Sequence, residues 1–433
     1  MDKSKPLTLR RNFSWTFIGN AVYAACQWGM VMMLAKLGSP EMVGQFTLGF
    51  AITAPVFMFT NLQLRVIQAT DAKQQYQFGD YLGLRLIATG IGLLVTAAIT
   101  FKSGYRPETA LVVLLVGLAK ALESISDVFY GLIQQHERMD RIARSLMIKG
   151  PLSLLLLGIG VYVSGNVVWG VLGLVVAWGA ILLGHDVPNG AKILKDLQLM
   201  PSENHHSQNI GSTLQPRWDR KTIVKLIKYA APLGFVMMLI SLNSNVPRYF
   251  IESHLGEREL GVFAAMAYLM VLGGMVVNAL GESASPRLAK YYANRNAIAF
   301  RTLLLKLVGI ATVIGTITVL ISLVGGKQIL TLLYNPEYAQ HTNLFVWLMV
   351  AAGVGYVSAF LGYGMTTAQY FRIQIPLFSA VTGASALGSM FLIPAYGLQG
   401  AAIALIVSSG VQVVISWGII LHALNKLSRL QET

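Results

Sequence analysis

Twelve apolar runs follow one another along the chain, at 13–37, 44–64, 82–101, 109–131, 147–164, 167–184, 229–251, 261–282, 301–325, 343–365, 376–394 and 400–422. A helix that crosses a bilayer needs roughly 20 predominantly apolar residues. Lipid offers the backbone no hydrogen-bond partner, and these runs are too long and continuous for the strands of a membrane barrel. The pattern predicts an all-α integral membrane protein with twelve transmembrane helices. One long polar segment, 185–228, interrupts it, with Pro188, Pro201 and Pro216, several asparagines and the pair His205-His206. It reads as a flexible cytoplasmic linker between an N-terminal bundle, 1–184, and a C-terminal bundle, 229–433. Its end, from Asp219 to Lys228, sets Lys221, Lys225 and Lys228 at helical spacing beside Ile223, Val224, Leu226 and Ile227. That spacing suits an interfacial helix on the inner leaflet, serving as a plain topology anchor or as a moving gate.

Composition agrees with a membrane as solvent. Of 433 residues, 55% are hydrophobic and 12% charged, against about 25% charged in soluble domains. The net charge is +14, from 33 basic and 19 acidic residues. The basic residues are scattered between apolar runs, which suits an anionic membrane surface and argues against nucleic acid. With the adjoining span ends, the N-terminal tail, the even-numbered loops and the C-terminal tail hold 26 Lys and Arg, and the odd-numbered loops hold 6. This bias predicts that both termini are cytoplasmic. The first run reads as a retained span and not as a cleaved signal. Cys26, the single cysteine, forms no intramolecular disulfide and no cysteine-based metal site.

The chain repeats itself weakly. Residues 37–46, LGSPEMVGQF, match 255–263, LGERELGVF, with one gap, each between the first and second span of its half. Gly131 and Arg141 have the same spacing as Gly362 and Arg372, and Arg65 and Arg287 each follow the second span of their half. These offsets, 218, 231 and 222 residues, are close to half the chain. Two six-helix halves follow. Six is even, so both enter from the same side and the expected relation is a pseudo-two-fold about the membrane normal.

No grouped nucleophile, base and orienting residue is visible, and neither are the HExxH, GxSxG or phosphate-loop motifs. Nothing calls for a cofactor or a metal. The informative residues are ionisable groups inside spans, each costing at least about 2.5–3.5 kcal/mol at the bilayer centre. In the fourth span Lys120, Glu123 and Asp127 share one helix face. Lys120 and Glu123 either neutralise each other or serve a substrate; Asp127 is left over, near enough to the surface to be solvated. In the seventh span Asn243-Ser244-Asn245-Val246-Pro247-Arg248 includes a proline that frees the Asn243 carbonyl, so a kink or opening is expected there. Arg248 then meets an anionic group, snorkels, or pairs with Glu252. Arg85, Glu282 and Lys306 read as snorkelling residues near the cytoplasmic ends.

The stretches LGSPEMVGQFTLGFAI (37–52), SDVFYGLIQQHERMDRIARS (126–145) and LNSNVPRYFIESHLGERELGVFAAMAYL (242–269) resemble bacterial polysaccharide flippases of the multidrug/oligosaccharidyl-lipid/polysaccharide exporter superfamily. The resemblance implies alternating access through a central cavity between the halves, often lined by basic residues. The implied substrate is an oligosaccharide on undecaprenyl pyrophosphate, moved to the outer leaflet of a bacterial inner membrane for O-antigen, capsule or exopolysaccharide assembly. Implied partners are this lipid-linked oligosaccharide, membrane lipids and polysaccharide-assembly proteins. Lys120 and Arg248, with Asn243 and Asn245, best match the substrate-binding role, and Glu123 and Asp127 are coupling candidates. Two other readings stand beside it: a proton- or cation-coupled drug or metabolite antiporter of the same fold, and a membrane-embedded glycan polymerase or ligase. Drug exporters of the superfamily usually carry an acid in the first helix, and 13–37 has none. Its lipid II flippases usually have two further helices.

Overall fold

A computed structural model describes residues 8–71, 75–198, 214–370 and 373–429. The long helices are α1 (Leu9–Leu37), α2 (Pro40–Thr60), α4 (Phe78–Lys102), α5 (Pro107–Gln135), α6 (Met139–Ser164) and α7 (Val167–Ile181), then α9 (Arg220–Leu255), α10 (Glu257–Ala293), α11 (Ala297–Leu333), α12 (Thr342–Thr367) and α13 (Gln374–Arg429). Two short helices, α3 (Leu64–Thr70) and α8 (Val187–Gln198), lie between them. Among the described residues 11 helical segments are long and apolar enough to cross a membrane. The last of these is broken at Gly397, whose φ of +58° only glycine adopts freely. At 1.5 Å per residue, an unbroken α13 would be about 84 Å long, far beyond one bilayer. The break makes two spans of it, so the described residues form an all-α membrane protein with twelve spans.

The chain divides into two compact units. The first is Met1–Gly38 with Gly49–Met238; the second is Ser39–Leu48 with Leu239–Thr433. In the first, α6 packs on α1 and α7, and α5 packs on α3, α4 and α7. Its core gathers Leu64, Tyr81, Leu84, Val128, Ile133, Leu226 and Ala230. In the second, α12 is central, packed by α10, α11 and α13 around Phe300, Leu304, Phe360 and Leu361. Large apolar side chains such as Leu94, Phe101, Val163 and Val324 point outward and are exposed. In a bilayer that surface meets acyl chains.

The segment read as a linker is structured where it is described. Residues 199–213, with Pro201 and His205-His206, lie outside the described residues. Before them, α7 passes through a π turn, Leu182–Asp186, into α8, whose Ile193 and Leu194 are buried while Lys192 and Lys195 are exposed. After them, the Arg217 amide donates to the Gly79 carbonyl of α4 at 2.8 Å. The stretch 220–228 is not a separate interfacial helix but the opening turns of α9. Ile223, Leu226 and Ala230 bury one face of it. Asp219 closes its amino end, accepting from the Thr222 hydroxyl at 2.6 Å and the Thr222 amide at 3.1 Å. Those bonds hold the Asp219 carboxyl below the usual carboxylate range.

In the second unit, the two copies of the sequence repeat meet. A methyl group on Gly44 would strike the Glu257 carbonyl, and one on Gly261 would strike the Pro40 carbonyl. The starts of α2 and α10, Pro40 and Glu257, are 217 residues apart, like the two glycines. Leu37 and Leu255 are 218 apart, so the gap in the repeat falls just before the helices. At this crossing Arg258 donates to Glu41 at 3.0 Å and also bonds Glu337. Arg372, half of another repeat match, lies outside the described residues.

Candidate functional site

Helix α5 carries Lys120, Glu123 and Asp127 on one face, but each acid is shared with other helices. Glu123 Oε2 accepts from the Lys120 ammonium at 2.7 Å. Its Oε1 lies 3.5 Å from the ammonium of Lys149 on α6 and accepts from the Tyr23 hydroxyl of α1 at 3.1 Å. Trp178 of α7 floors the cluster, with Lys149 at 4.1 Å and Lys120 at 5.5 Å from its ring centre. The Lys120 ammonium also sits 5.3 Å from the Phe50 ring. Each such placement over an aromatic face is favourable. The indole is fixed in turn: its Nε1 donates to Ser153 Oγ at 2.9 Å, and that hydroxyl donates to the Lys149 carbonyl at 2.6 Å. The Lys149 side chain is only 2% exposed, whereas Lys120 and Glu123 are 22% and 28% exposed. Two cations and one anion leave the cluster with a surplus positive charge.

One turn along α5, Asp127 is not the solvated remainder that its position in the sequence suggests. Arg85 pairs with it at 3.0 Å and Arg65 at 3.5 Å. Arg85 does not snorkel: it is fully buried, and it also donates to Asn61, which accepts from Ser124 at 2.6 Å. Arg65 reaches α5 because Gly131 has no side chain where α3 crosses it; its Nε donates to Gln134 at 3.0 Å. Glu282 and Lys306, by contrast, are exposed as expected. Asp186, at the end of the π turn, is fully buried and accepts from Ser145 at 2.6 Å.

In the second unit, α9 stays helical through Pro247 and does not open. The missing amide has the foreseen effect, since the Asn243 carbonyl is freed, but a neighbour answers it: the Ser385 hydroxyl of α13 donates there at 3.1 Å. Asn245 Nδ2 donates to the Ser241 carbonyl at 2.8 Å, and its Oδ1 accepts from Arg248 at 3.2 Å. The Arg248–Glu252 pair does not form; among the described residues no carboxylate lies within 4.0 Å of Arg248. Arg248 Nε and Asn243 Oδ1 are buried without a hydrogen-bond partner. This arginine therefore keeps its charge with no carboxylate beside it and one donor unused. Among the described residues no three His, Cys, Asp or Glu side chains gather as a metal would require.

Sequence reasoning passed over Lys149, Tyr23 and Asp186, and read Arg65 as part of the repeat alone. The signal for Lys149 was a lone lysine two residues inside an apolar run, beside Gly150-Pro151.

No family model matches the chain. It is 28% identical to the capsular polysaccharide biosynthesis protein CapF of Staphylococcus aureus over 406 residues, covering 93% of this chain and 97% of that one. Among solved structures it superposes on an inward-facing multidrug resistance MATE family transporter with a TM-score of 0.70 at 15% identity, covering 96% of this chain and 99% of the other. It superposes on the lipid II flippase MurJ, in an inward closed conformation, with a TM-score of 0.71 at 10% identity, covering 95% and 89%. The chain therefore has the fold shared by multidrug resistance MATE family transporters and the lipid II flippase MurJ.

Proposed function

We propose that this protein is a flippase that moves an undecaprenyl-pyrophosphate-linked oligosaccharide from the inner to the outer leaflet of a bacterial inner membrane, both termini being cytoplasmic. The observation that carries the reading is the placement of cations inside apolar units: Lys120 in a cluster with surplus positive charge, and Arg248 with no carboxylate partner among the described residues and an unused donor. Both suit the pyrophosphate, which binds through charge-assisted hydrogen bonds. Asn243 and Asn245 beside Arg248 suit hydroxyl-rich sugar. The relative named for capsular polysaccharide biosynthesis and the fold shared with a lipid II flippase support this substrate class.

The physical task is desolvation. Each sugar hydroxyl stripped of water in an apolar medium costs several kcal/mol, so unassisted flipping is very slow. A polar passage that shields the headgroup, while the lipid tail stays in the bilayer, removes most of that barrier. A potential negative inside favours outward movement of an anion by about 2.3 kcal/mol per charge per 100 mV. Glu123 remains the coupling candidate. Asp127, held between two arginines, serves as their counter-ion in this reading. Assembly proteins that consume the exported glycan are the expected partners.

The likeness in fold to a multidrug transporter favours a second reading, a drug or metabolite antiporter. The test is complementation of a deletion strain with Lys120→Ala or Arg248→Ala. Loss of surface polysaccharide at normal protein levels is the expected result. Normal export by both variants sinks the site, and export of cationic dyes with no polysaccharide phenotype favours the antiporter. Glycan lengthening by the purified protein would point instead to a polymerase.

A further inference from the structure

The two lysines around Glu123 hold it in unequal ways. Lys149 is enclosed: its side chain is 2% exposed, its ammonium lies against the fixed indole of Trp178, and among the described residues no other carboxylate is within 4.0 Å of it. It has nowhere else to turn. Lys120 is 22% exposed, and among the described residues it rests, besides Glu123, on the faces of Phe50 and Trp178. A lysine on a flexible stem, held by one carboxylate and two rings, can change partner.

We propose that Glu123 is a built-in stand-in for a phosphate. It holds Lys120 at 2.7 Å while the site is empty, and a phosphate or pyrophosphate oxygen takes its place on Lys120 when the headgroup arrives. Lys149 and the Tyr23 hydroxyl keep Glu123 neutralised during the exchange. Without them the carboxylate would be stranded as soon as Lys120 left, at a cost large enough to forbid the exchange. With them, the cluster's surplus positive charge faces the incoming anion. No proton transfer is required.

The arrangement also explains release. While Lys120 is engaged by Glu123 the site is incompetent, and the apparent affinity for the anion falls by the fraction of time it is free. Glu123 is thus a competitor that resets the site after each cycle. This inference rests on the reading that Lys120 meets a phosphate-bearing headgroup. It adds Lys149 and Tyr23 as positioning residues for that contact.

The test is a binding cycle on the full-length purified protein in nanodiscs of zwitterionic lipid, with farnesyl pyrophosphate and inorganic pyrophosphate as separate probes. Glu123→Gln removes the competitor and tightens binding by about tenfold. Lys120→Gln weakens it, and adding Glu123→Gln to Lys120→Gln gives no gain, because the competitor acts only through Lys120. Lys149→Gln weakens binding several-fold, since Lys120 is then the one cation left beside Glu123. If that variant fails to fold, the Glu123–Lys120 cycle decides by itself. The pattern with farnesyl pyrophosphate alone identifies a lipid headgroup as the ligand, and with both probes a pyrophosphate from either source; each supports the exchange. Unchanged or weaker binding by Glu123→Gln overturns it, as does a gain that persists without Lys120. If the pattern holds but Lys120→Ala cells export glycan normally, the exchange stands and the substrate reading falls. Loss of export with no gain in Glu123→Gln gives the reverse.

Discussion

Arg85 is the most committed side chain in the first unit. It is fully buried and ends on Asp127 and Asn61. Replacing it with Met strands Asp127 with only Arg65, at 3.5 Å. Removing one partner of a buried pair costs about 3–5 kcal/mol. The expected outcome is a sharp fall in thermal stability in detergent, part of which Asp127→Asn restores in the double variant; a stable single variant would contradict the pairing. The same position marks the limit of reading charges along one strand of sequence. Three residues on a single helix face can be recognised from spacing, as Lys120, Glu123 and Asp127 were. Their partners lie on other helices: Tyr23 is 100 residues from Glu123, and Arg65 is 62 from Asp127. No local periodicity links them, so Asp127 looked solvated and Arg85 looked free to snorkel.

At the level of the helix, α9 shows how a proline is absorbed. Pro247 leaves the Asn243 carbonyl without its amide, and Ser385 supplies the donor from α13. Ser385→Ala should destabilise the protein by about 1 kcal/mol. In a Pro247→Ala background, where the helix can make its own bond, the loss should shrink toward zero; equal losses in both backgrounds would refute this. The amino end of α9 carries a pH dependence. The Asp219 carboxyl is depressed below its unfolded value by the Thr222 bonds. Its stabilisation is therefore full above the unfolded pKa of about 3.9 and disappears as the pH falls through the lower folded value. Amide exchange at 221–224 should accelerate over that acid range, and Asp219→Ala should remove the dependence. The glycines at the α2–α10 crossing are less forgiving: Gly44→Val or Gly261→Val drives a side chain into a carbonyl and should prevent accumulation of folded protein.

For the molecule as a whole, most of the architecture was written in hydropathy. Every apolar run became a helix, because in lipid a run of that length has no other way to satisfy its backbone. The helices extend beyond the runs, as α10 and α11 do at 37 residues each, because polar turns at their ends continue the same hydrogen bonding in water. Two basic residues counted as cytoplasmic loop charges, Arg85 and Lys149, are buried in helices instead, yet the excess on the even-loop side stays large. The proposed orientation makes a simple prediction, since Cys26→Ser leaves no native thiol. A cysteine placed at Lys102 or Lys327 should react with an impermeant maleimide on intact cells, and one at Lys192 or Arg301 should not; the opposite labelling would invert the topology. The reciprocal crossing of α2 and α10 bears on ancestry. If the repeat began as a gene encoding a single half that paired with its own copy, the positions now held by Glu41 and Arg258 were once one residue, and a charge there faced its twin. Joining the copies in one reading frame let the two sites mutate independently, so that self-repulsion could become attraction.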